Sequence, residues 1–134
     1  MTVPASPALT AELALRGTAV LPQGLVPDAL VLIGGEDILW AGPISQAPEY
    51  SSAAQITHEG LILPGLVDLH CHGGGGASFP DATGLEDMLT AVAEHRRHGT
   101  TSLVASLVTA DADTLRSRVS DLARLAADGE ITAI

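Results

Sequence analysis

The chain has 134 residues, of which 46% are hydrophobic and only 2% aromatic, and it carries a formal net charge of −10. This composition is typical of a globular protein with an aliphatic core and excludes an intrinsically disordered chain. All six basic residues are arginine, and a protein this acidic is not expected to bind nucleic acid or an anionic membrane surface.

Cysteine content and hydropathy limit the cellular location. Cys71 is the single cysteine, which excludes a disulfide framework within the chain. The N-terminal segment MTVPASPALTAELALRG lacks the basic and apolar regions of a secretory signal. No apolar run reaches the roughly 20 residues of a membrane helix. We therefore expect a cytoplasmic protein.

Residues 1–59 are predicted to form a small β-rich leader. The aliphatic runs AELALRGTAVL, ALVLIG and DILWAG are separated by proline and glycine, which is typical of short strands joined by turns. The segment ALVLIGGEDILWAG predicts a hairpin that turns at residues 34–37. We expect the strands of this unit to pair antiparallel.

Residues 60–134 are predicted to alternate strands with helices. LILPGLVDLHCH (residues 61–72) has the nearly continuous apolar character of a parallel strand buried on both faces. TSLVASLV (residues 101–108) predicts a second strand, and the terminal EITAI the start of a third. The order β-α-β-α-β predicts an α/β fold with a parallel sheet and right-handed crossovers. Because the third strand has barely begun, we expect the chain to be the N-terminal part of a larger fold.

Two helices are predicted between these strands. The first begins at Thr83 with a Thr83–Glu86 capping box and ends before Gly99; the second begins at Asp111 or Asp113 and ends before residue 129. The positions expected to face the core are Leu85, Met88, Leu89, Val92 and Ala93 in the first helix and Leu115, Val119, Leu122, Leu125 and Ala126 in the second.

A pair of histidines, His70 and His72, ends the first buried strand. Residues i and i+2 of a strand point to the same face, so the two imidazoles are expected to project together. Neutral imidazoles on a rigid strand suit a divalent transition metal such as Zn²⁺. Asp68, one step behind, is interpreted either as an outer partner that orients one ring or as an internal acceptor that holds the strand end. Cys71 is expected to point the opposite way, as a small core residue.

Four consecutive glycines, Gly73, Gly74, Gly75 and Gly76, follow the pair. Glycine adopts positive φ without strain, and successive backbone N–H groups in such a loop can form a nest for an anion. A purely conformational role and a role in substrate binding both remain open at this stage.

Other polar residues receive weaker predictions. His95 and His98 are assigned to the polar, solvated face of the first helix, and His58 to a turn before the buried strand. Ser106 and Thr109 stand at the C-terminal end of the second strand. They are therefore candidates to face the histidine pair, although the sequence does not determine the parity of that strand.

The stretches ILPGLVDLHCHGGGG, GGGGASFPDAT and HGTTSLVASLVTA resemble the start of amidohydrolase-superfamily enzymes. Within that superfamily they most resemble the N-acetylglucosamine-6-phosphate deacetylases, from about Leu13 to Ile134. The resemblance implies a (β/α)₈ TIM barrel, with about β1-α1-β2-α2 and the start of β3 present here, preceded by a β-sandwich-type leader. It also implies one or two divalent metal ions, with His70 and His72 among the ligands.

The activity implied by the resemblance is hydrolysis of N-acetylglucosamine 6-phosphate to glucosamine 6-phosphate and acetate. The partner is then a small amino-sugar phosphate, and the complete enzyme is expected to be a homo-oligomer. The remaining metal ligands and the catalytic acid/base of the family are expected beyond residue 134. No catalytic residue is therefore assigned within the chain, and the chain alone is expected to be inactive.

Other functions remain open. Another amidohydrolase, such as a cyclic amidase or a deaminase, would share the histidine pair and the β-rich leader. A non-catalytic, truncated module prone to self-association is a further alternative. A phosphoesterase that begins with a similar histidine pair is disfavoured, because about 69 residues precede His70.

Overall fold

The computed structural model describes residues 8–134. The chain divides into two compact units, and the boundary along the sequence lies between Pro64 and Gly65. Both units contain β-structure and the second adds two helices, so the fold is mixed α/β, as predicted. No helix among residues 8–134 has the length and apolar character needed to span a membrane.

The first unit is a four-stranded sheet in the order β3-β2-β1-β4. Its strands are β1 (Leu9–Leu21), β2 (Gly24–Gly34), β3 (Asp37–Pro43) and β4 (Tyr50–Ile62). A short 3₁₀ helix, Ile44–Gln46, lies between the last two strands. The β2–β3 hairpin turns at residues 34–37, as predicted, and Gly35 takes the positive φ of +59° that the turn requires.

The prediction of an entirely antiparallel leader is wrong. β1 pairs antiparallel with β2 but parallel with β4, for example Leu13 with Ala54. A parallel partner needs a connection that crosses from one end of the sheet to the other, and the β2–β3 hairpin with the 3₁₀ helix supplies it. Local sequence patterns predict each strand, but they do not show which strands distant in sequence pair with each other.

The second unit begins with a parallel pair of strands, β5 (Leu66–Cys71) and β8 (Thr100–Ala105). Between them lie a small antiparallel hairpin, β6 (Gly73–Gly74) with β7 (Ala77–Ser78), and helix α1 (Leu85–Arg97). Helix α2 (Ala112–Ala127) follows β8. Ala133 then forms a single parallel bridge with Val104, so the chain adds one residue pair of a third parallel strand beside β8.

The apolar run at residues 61–72 contains the predicted parallel strand, but the prediction that this strand is buried on both faces is wrong. Leu61 and Ile62 belong to β4, and the strand that carries the histidines starts at Leu66. One side of β5 faces solvent, and the side chains of Val67 and Leu69 are 62% and 73% exposed. A continuous apolar run predicts burial on two faces, but it does not show whether the covering layer lies within the chain.

The core of the second unit fills the space between the β5–β8 pair and the two helices. Leu89, Ala93 and Val119, which the periodicity assigns to the core, are exposed. The buried members of the core are Cys71, Phe79, Ala82, Met88, Ala91, Val92, Leu103, Ala105, Leu122, Leu125 and Ile131.

Both helices end as predicted but differ at their starts. Gly99 and Gly129 follow the helices with φ of +92° and +75°. Asp111 caps α2, accepting hydrogen bonds from the backbone N–H groups of residues 113 and 114. At α1 the predicted Thr83–Glu86 capping box is wrong by one residue, because Asp87 accepts hydrogen bonds from the backbone N–H and hydroxyl of Thr83.

Candidate metal centre

The histidine pair lies at the C-terminal end of β5 and projects to one side, as predicted. The ring centroids of His70 and His72 are 4.7 Å apart, with the ring planes at 89° to each other. Both side chains are exposed. The side of β5 that carries them is therefore open to a ligand from solvent.

Ser106, which follows β8, contacts both rings. Its carbonyl oxygen lies 2.9 Å from Nδ1 of His72, and its hydroxyl oxygen lies 3.3 Å from Nδ1 of His70. Its backbone N–H donates to the carbonyl oxygen of Cys71 at 2.7 Å, which joins the ends of the two strands. Ser106 thus faces the pair, whereas Thr109 is exposed in the segment before α2.

The contact with a backbone carbonyl determines which nitrogen of His72 is available for coordination. A carbonyl oxygen only accepts hydrogen bonds, so Nδ1 of His72 carries the proton and Nε2 of the neutral ring keeps a free lone pair. Metal-binding histidines commonly donate their second nitrogen in this way. The donor chemistry of the pair therefore fits a divalent transition metal.

Two imidazoles are only part of a metal centre. Zinc sites in proteins use three or four protein ligands, and in residues 8–134 no third histidine, cysteine or carboxylate joins this pair. The pair would supply two ligands, and further protein donors are needed to complete the site.

Asp68 does not contact the ring of either histidine. One oxygen of its carboxylate accepts a hydrogen bond from the backbone N–H of His70 at 3.0 Å, and the other lies 3.8 Å from Nδ1 of His95 on α1. The first contact agrees with the predicted alternative that Asp68 holds the strand end. Orientation of a ring of the pair by Asp68 is not seen in this geometry.

Cys71 faces the helix layer, as predicted, but Asp68 lies on that side with it. Strand alternation would place residues three apart on opposite faces. Here Asp68 pairs with Leu103 and Cys71 with Ala105, so three steps of β5 match two of β8. The extra residue of this irregularity reverses the alternation. Burial raises the pKa of the Cys71 thiol above its ordinary value.

His95 is the polar residue that sequence reasoning missed. It is not on a solvated face: its side chain is 26% exposed, and Nε2 lies 3.1 Å from both the Cys71 sulfur and the Gly73 carbonyl oxygen. The helical periodicity contained a signal for this placement. His95 is seven residues after Met88 and three after Val92, both of which are buried.

The glycines form a tight hairpin beside the pair. Gly73 and Gly74 pair with Ser78 and Ala77. Gly75 and Gly76 occupy the turn with φ of +61° and +85°, the positive values that favour glycine in two-residue hairpins. Their conformational role is thus visible, while binding of a substrate anion stays a prediction.

Glycine also allows the hairpin to approach α1 closely. A Cβ on Gly74 would come within 2.9 Å of the His95 ring, and one on Gly75 within 3.1 Å of the Glu94 side chain. The two other histidines are exposed. His58 is an exposed residue of β4 rather than of a turn, and the side chain of His98, which directly follows α1, is 68% exposed.

Comparisons with known proteins give a partial match in sequence and a broader one in structure. No family model matches the chain. Over 49 residues it is 41% identical to the imidazolonepropionases of Yersinia pestis (strain Pestoides F) and Yersinia pseudotuberculosis (strain IP 31758), which covers 36% of this chain and 12% of each relative. The structure matches N-acetylglucosamine-6-phosphate deacetylase from Pasteurella multocida with a TM-score of 0.62 and 17% identity, over 84% of this chain and 30% of that one.

These relatives are much longer than the chain, which spans 30% of the deacetylase, while the segment matched in the imidazolonepropionases is 12% of their length. The structural match shows that the fold resembles the N-terminal region of an amidohydrolase. Both kinds of relative are amidohydrolase-superfamily enzymes, so the comparisons support the superfamily predicted from the sequence without selecting one member.

Proposed function

We propose that the chain is the N-terminal part of a metal-dependent hydrolase of the amidohydrolase superfamily that removes the acetyl group of N-acetylglucosamine 6-phosphate. The observation that carries this proposal is the histidine pair, held by Ser106 at the adjoining ends of two parallel strands. Active sites of β/α barrels are built at this end of the strands. The structural likeness to a deacetylase supports the choice of substrate.

In this proposal His70 and His72 bind one or two divalent ions such as Zn²⁺ through Nε2. The ion, when bound, polarises the amide carbonyl and lowers the pKa of a water molecule to about 7. Ser106 keeps the His72 proton on Nδ1 and so preserves the free lone pair on Nε2. Asp68 holds the backbone at the first of the two ligands by accepting a hydrogen bond from the N–H of His70.

The residues that transfer protons to and from the substrate are proposed to lie in a longer form of the protein. Amide hydrolysis needs a general base for water and an acid for the departing nitrogen. Residues 8–134 bring no carboxylate to the histidine pair. The chain by itself is therefore proposed to be inactive. We propose that the complete enzyme is cytoplasmic and forms a homo-oligomer. Its proposed partner is a small-molecule substrate, and neither nucleic acid nor a membrane is proposed as a partner.

A second candidate is hydrolysis of a cyclic amide, as the name imidazolonepropionase implies for the Yersinia relatives. The 41% identity over 49 residues favours this reading. It places the same histidine pair in the same role and changes only the substrate. The cyclic amidase predicted as an alternative from the sequence belongs to this class.

One experiment separates the two candidates. A longer product of the same gene, loaded with Zn²⁺, would be assayed with N-acetylglucosamine 6-phosphate and with an imidazolone propionate, alongside a His70→Ala/His72→Ala control. Release of acetate that depends on the pair supports the deacetylase. Preferential opening of the imidazolone ring supports the second candidate, and equal turnover by the control would overturn both.

A further inference from the structure

A second group of metal-binding side chains lies on the helix-facing side of β5. Asp68 and Cys71 come from the strand and His95 from α1, and one donor atom from each lies within 4.8 Å of the other two. The Cys71 sulfur is 3.1 Å from Nε2 of His95, and a carboxylate oxygen of Asp68 is 3.8 Å from Nδ1. None of these donors belongs to the histidine pair.

The spacing and chemistry of this group fit zinc. Zn²⁺ binds thiolate sulfur at about 2.3 Å and imidazole nitrogen or carboxylate oxygen at about 2.0–2.2 Å, in tetrahedral geometry. Two ligands of one ion then lie about 3.3–3.7 Å apart. One ion binds a single nitrogen of His95, so the two contacts above, which use different nitrogens, cannot both become bonds to it. One donor atom from each residue nevertheless lies within 4.8 Å of the other two, so side-chain shifts of roughly 1 Å would bring the three donors to one ion. The Gly73 carbonyl oxygen, 3.1 Å from Nε2 of His95, is a fourth donor atom nearby.

Tertiary structure brings the three residues together. Regular strand alternation would place Asp68 and Cys71 on opposite faces of β5, and His95 lies on a separate element, α1. The pairing irregularity in β5 turns Asp68 to the side of Cys71, and α1 presents His95 from the stripe that carries Met88 and Val92. Cys71 is 4% exposed. The side chains of His95 and Asp68 are 26% and 31% exposed, so an ion held here would be partly shielded from solvent and would join α1 to β5.

We propose that Asp68, Cys71 and His95 bind a zinc ion that stabilises the second unit. This site has a structural role, because a closed thiolate site leaves little room for substrate. It does not rest on the proposed function, since its ligands are different and lie on the opposite side of β5. A protein without hydrolase activity could still bind this ion.

The test uses Co²⁺ as a spectroscopic replacement for Zn²⁺ in the 134-residue chain. Thiolate bound to Co²⁺ gives a near-ultraviolet charge-transfer band, and Cys71 is the single cysteine, so the band reports on this site alone. We expect the band in the unsubstituted chain at saturating Co²⁺, and at one equivalent in His70→Ala/His72→Ala, where the histidine pair no longer competes for the ion. Cys71→Ser should lose it, and His95→Gln and Asp68→Asn should bind Co²⁺ at least about tenfold more weakly.

Three results would overturn the proposal. The first is no thiolate band with the unsubstituted chain at saturating Co²⁺. The second is a band that survives unchanged in His95→Gln and Asp68→Asn. The third is a band that requires two chains per ion and disappears on dilution, since that indicates cysteines bridged between molecules. Because the unsubstituted chain carries the first and third readouts, misfolding of a variant would not hide either result.

Discussion

Nδ1 of His72 lies 2.9 Å from the carbonyl oxygen of Ser106. This hydrogen bond connects the residue after β5 to the residue after β8, and it leaves Nε2 as the free nitrogen of the neutral ring. A backbone carbonyl cannot be removed by substituting a side chain. The tautomer of His72 is therefore set by the pairing of the two strands rather than by another titratable group.

The first prediction concerns the pair as metal ligands. In a Cys71→Ser background, which removes the second candidate site, His70→Ala/His72→Ala should weaken Zn²⁺ binding by at least about tenfold. Ser106→Ala keeps the carbonyl acceptor and should have a smaller effect. Isothermal titration calorimetry measures both, and undiminished affinity in the double variant would remove the pair from the metal site.

The second prediction concerns Gly73, whose φ is +147°. A Cβ at this position would overlap the backbone carbonyl oxygen of Ala77 across the hairpin. Gly73→Ala should therefore lower the melting temperature of the second unit and weaken metal binding. Gly76→Ala is the matched control, because Gly76 also has a positive φ but a Cβ there meets no atom within 4 Å. Similar melting temperatures for the two variants would contradict the close approach of the hairpin strands.

The third prediction concerns Phe79, which is completely buried and donates its backbone N–H to the His72 carbonyl oxygen at 2.8 Å. Phe79→Ala should lower the free energy of unfolding by about 3–5 kcal/mol, because it removes a large apolar side chain and leaves a cavity. Leu89 on α1 is 38% exposed, so Leu89→Ala should lower the free energy of unfolding by less than about 1 kcal/mol. Urea unfolding measures both values, and equal costs would place Phe79 outside the core.

The fourth prediction concerns pH and the start of α1. Hydrogen bonds from the backbone N–H and hydroxyl of Thr83 hold the pKa of the Asp87 carboxyl below its ordinary value. Since the folded state lowers this pKa, Asp87 stabilises the protein above the unfolded-state pKa of about 3.9. That contribution is lost as the pH falls through the folded-state pKa.

Asp87→Asn should therefore lower the melting temperature near neutral pH, and the difference from the unsubstituted chain should shrink in acid. Glu86→Gln removes a charge from the same helical turn without altering the Thr83 contacts, so it serves as the control. Thermal melts from pH 7 to pH 3 test this, and a difference that grows as the pH falls would have the wrong sign.

The fifth prediction concerns the solvent-facing side of β5, where Val67 and Leu69 are exposed. Adjacent exposed apolar side chains on a strand favour association between molecules. The chain should therefore self-associate in sedimentation experiments, and Val67→Thr/Leu69→Thr should reduce this. Ile38→Thr, which removes a 67% exposed residue of the first unit, should have a smaller effect. A compact monomer at all concentrations would contradict the prediction.

The sequence by itself was sufficient for features that depend on neighbours along the chain. The hairpin at residues 34–37 and the glycine ends of both helices follow from local φ preferences and hydrogen bonding. For the second helix the sequence left Asp111 and Asp113 as alternative caps, and the structure selects Asp111. The common direction of His70 and His72 follows from the two-residue repeat of a strand. The capping box failed by one residue because the Asp87 carboxylate, rather than Glu86, pairs with the backbone N–H and hydroxyl of Thr83.

Tertiary structure decided what depends on partners distant in sequence. Only strand pairing reveals that β4 runs parallel to β1 and that an extra residue in β5 turns Asp68 toward Cys71. Only packing of α1 on that side of β5 brings His95 to the same cluster. Pairing register is a property of two segments together, so a shift of one residue reverses which side chains share a face while leaving the pattern of each segment unchanged.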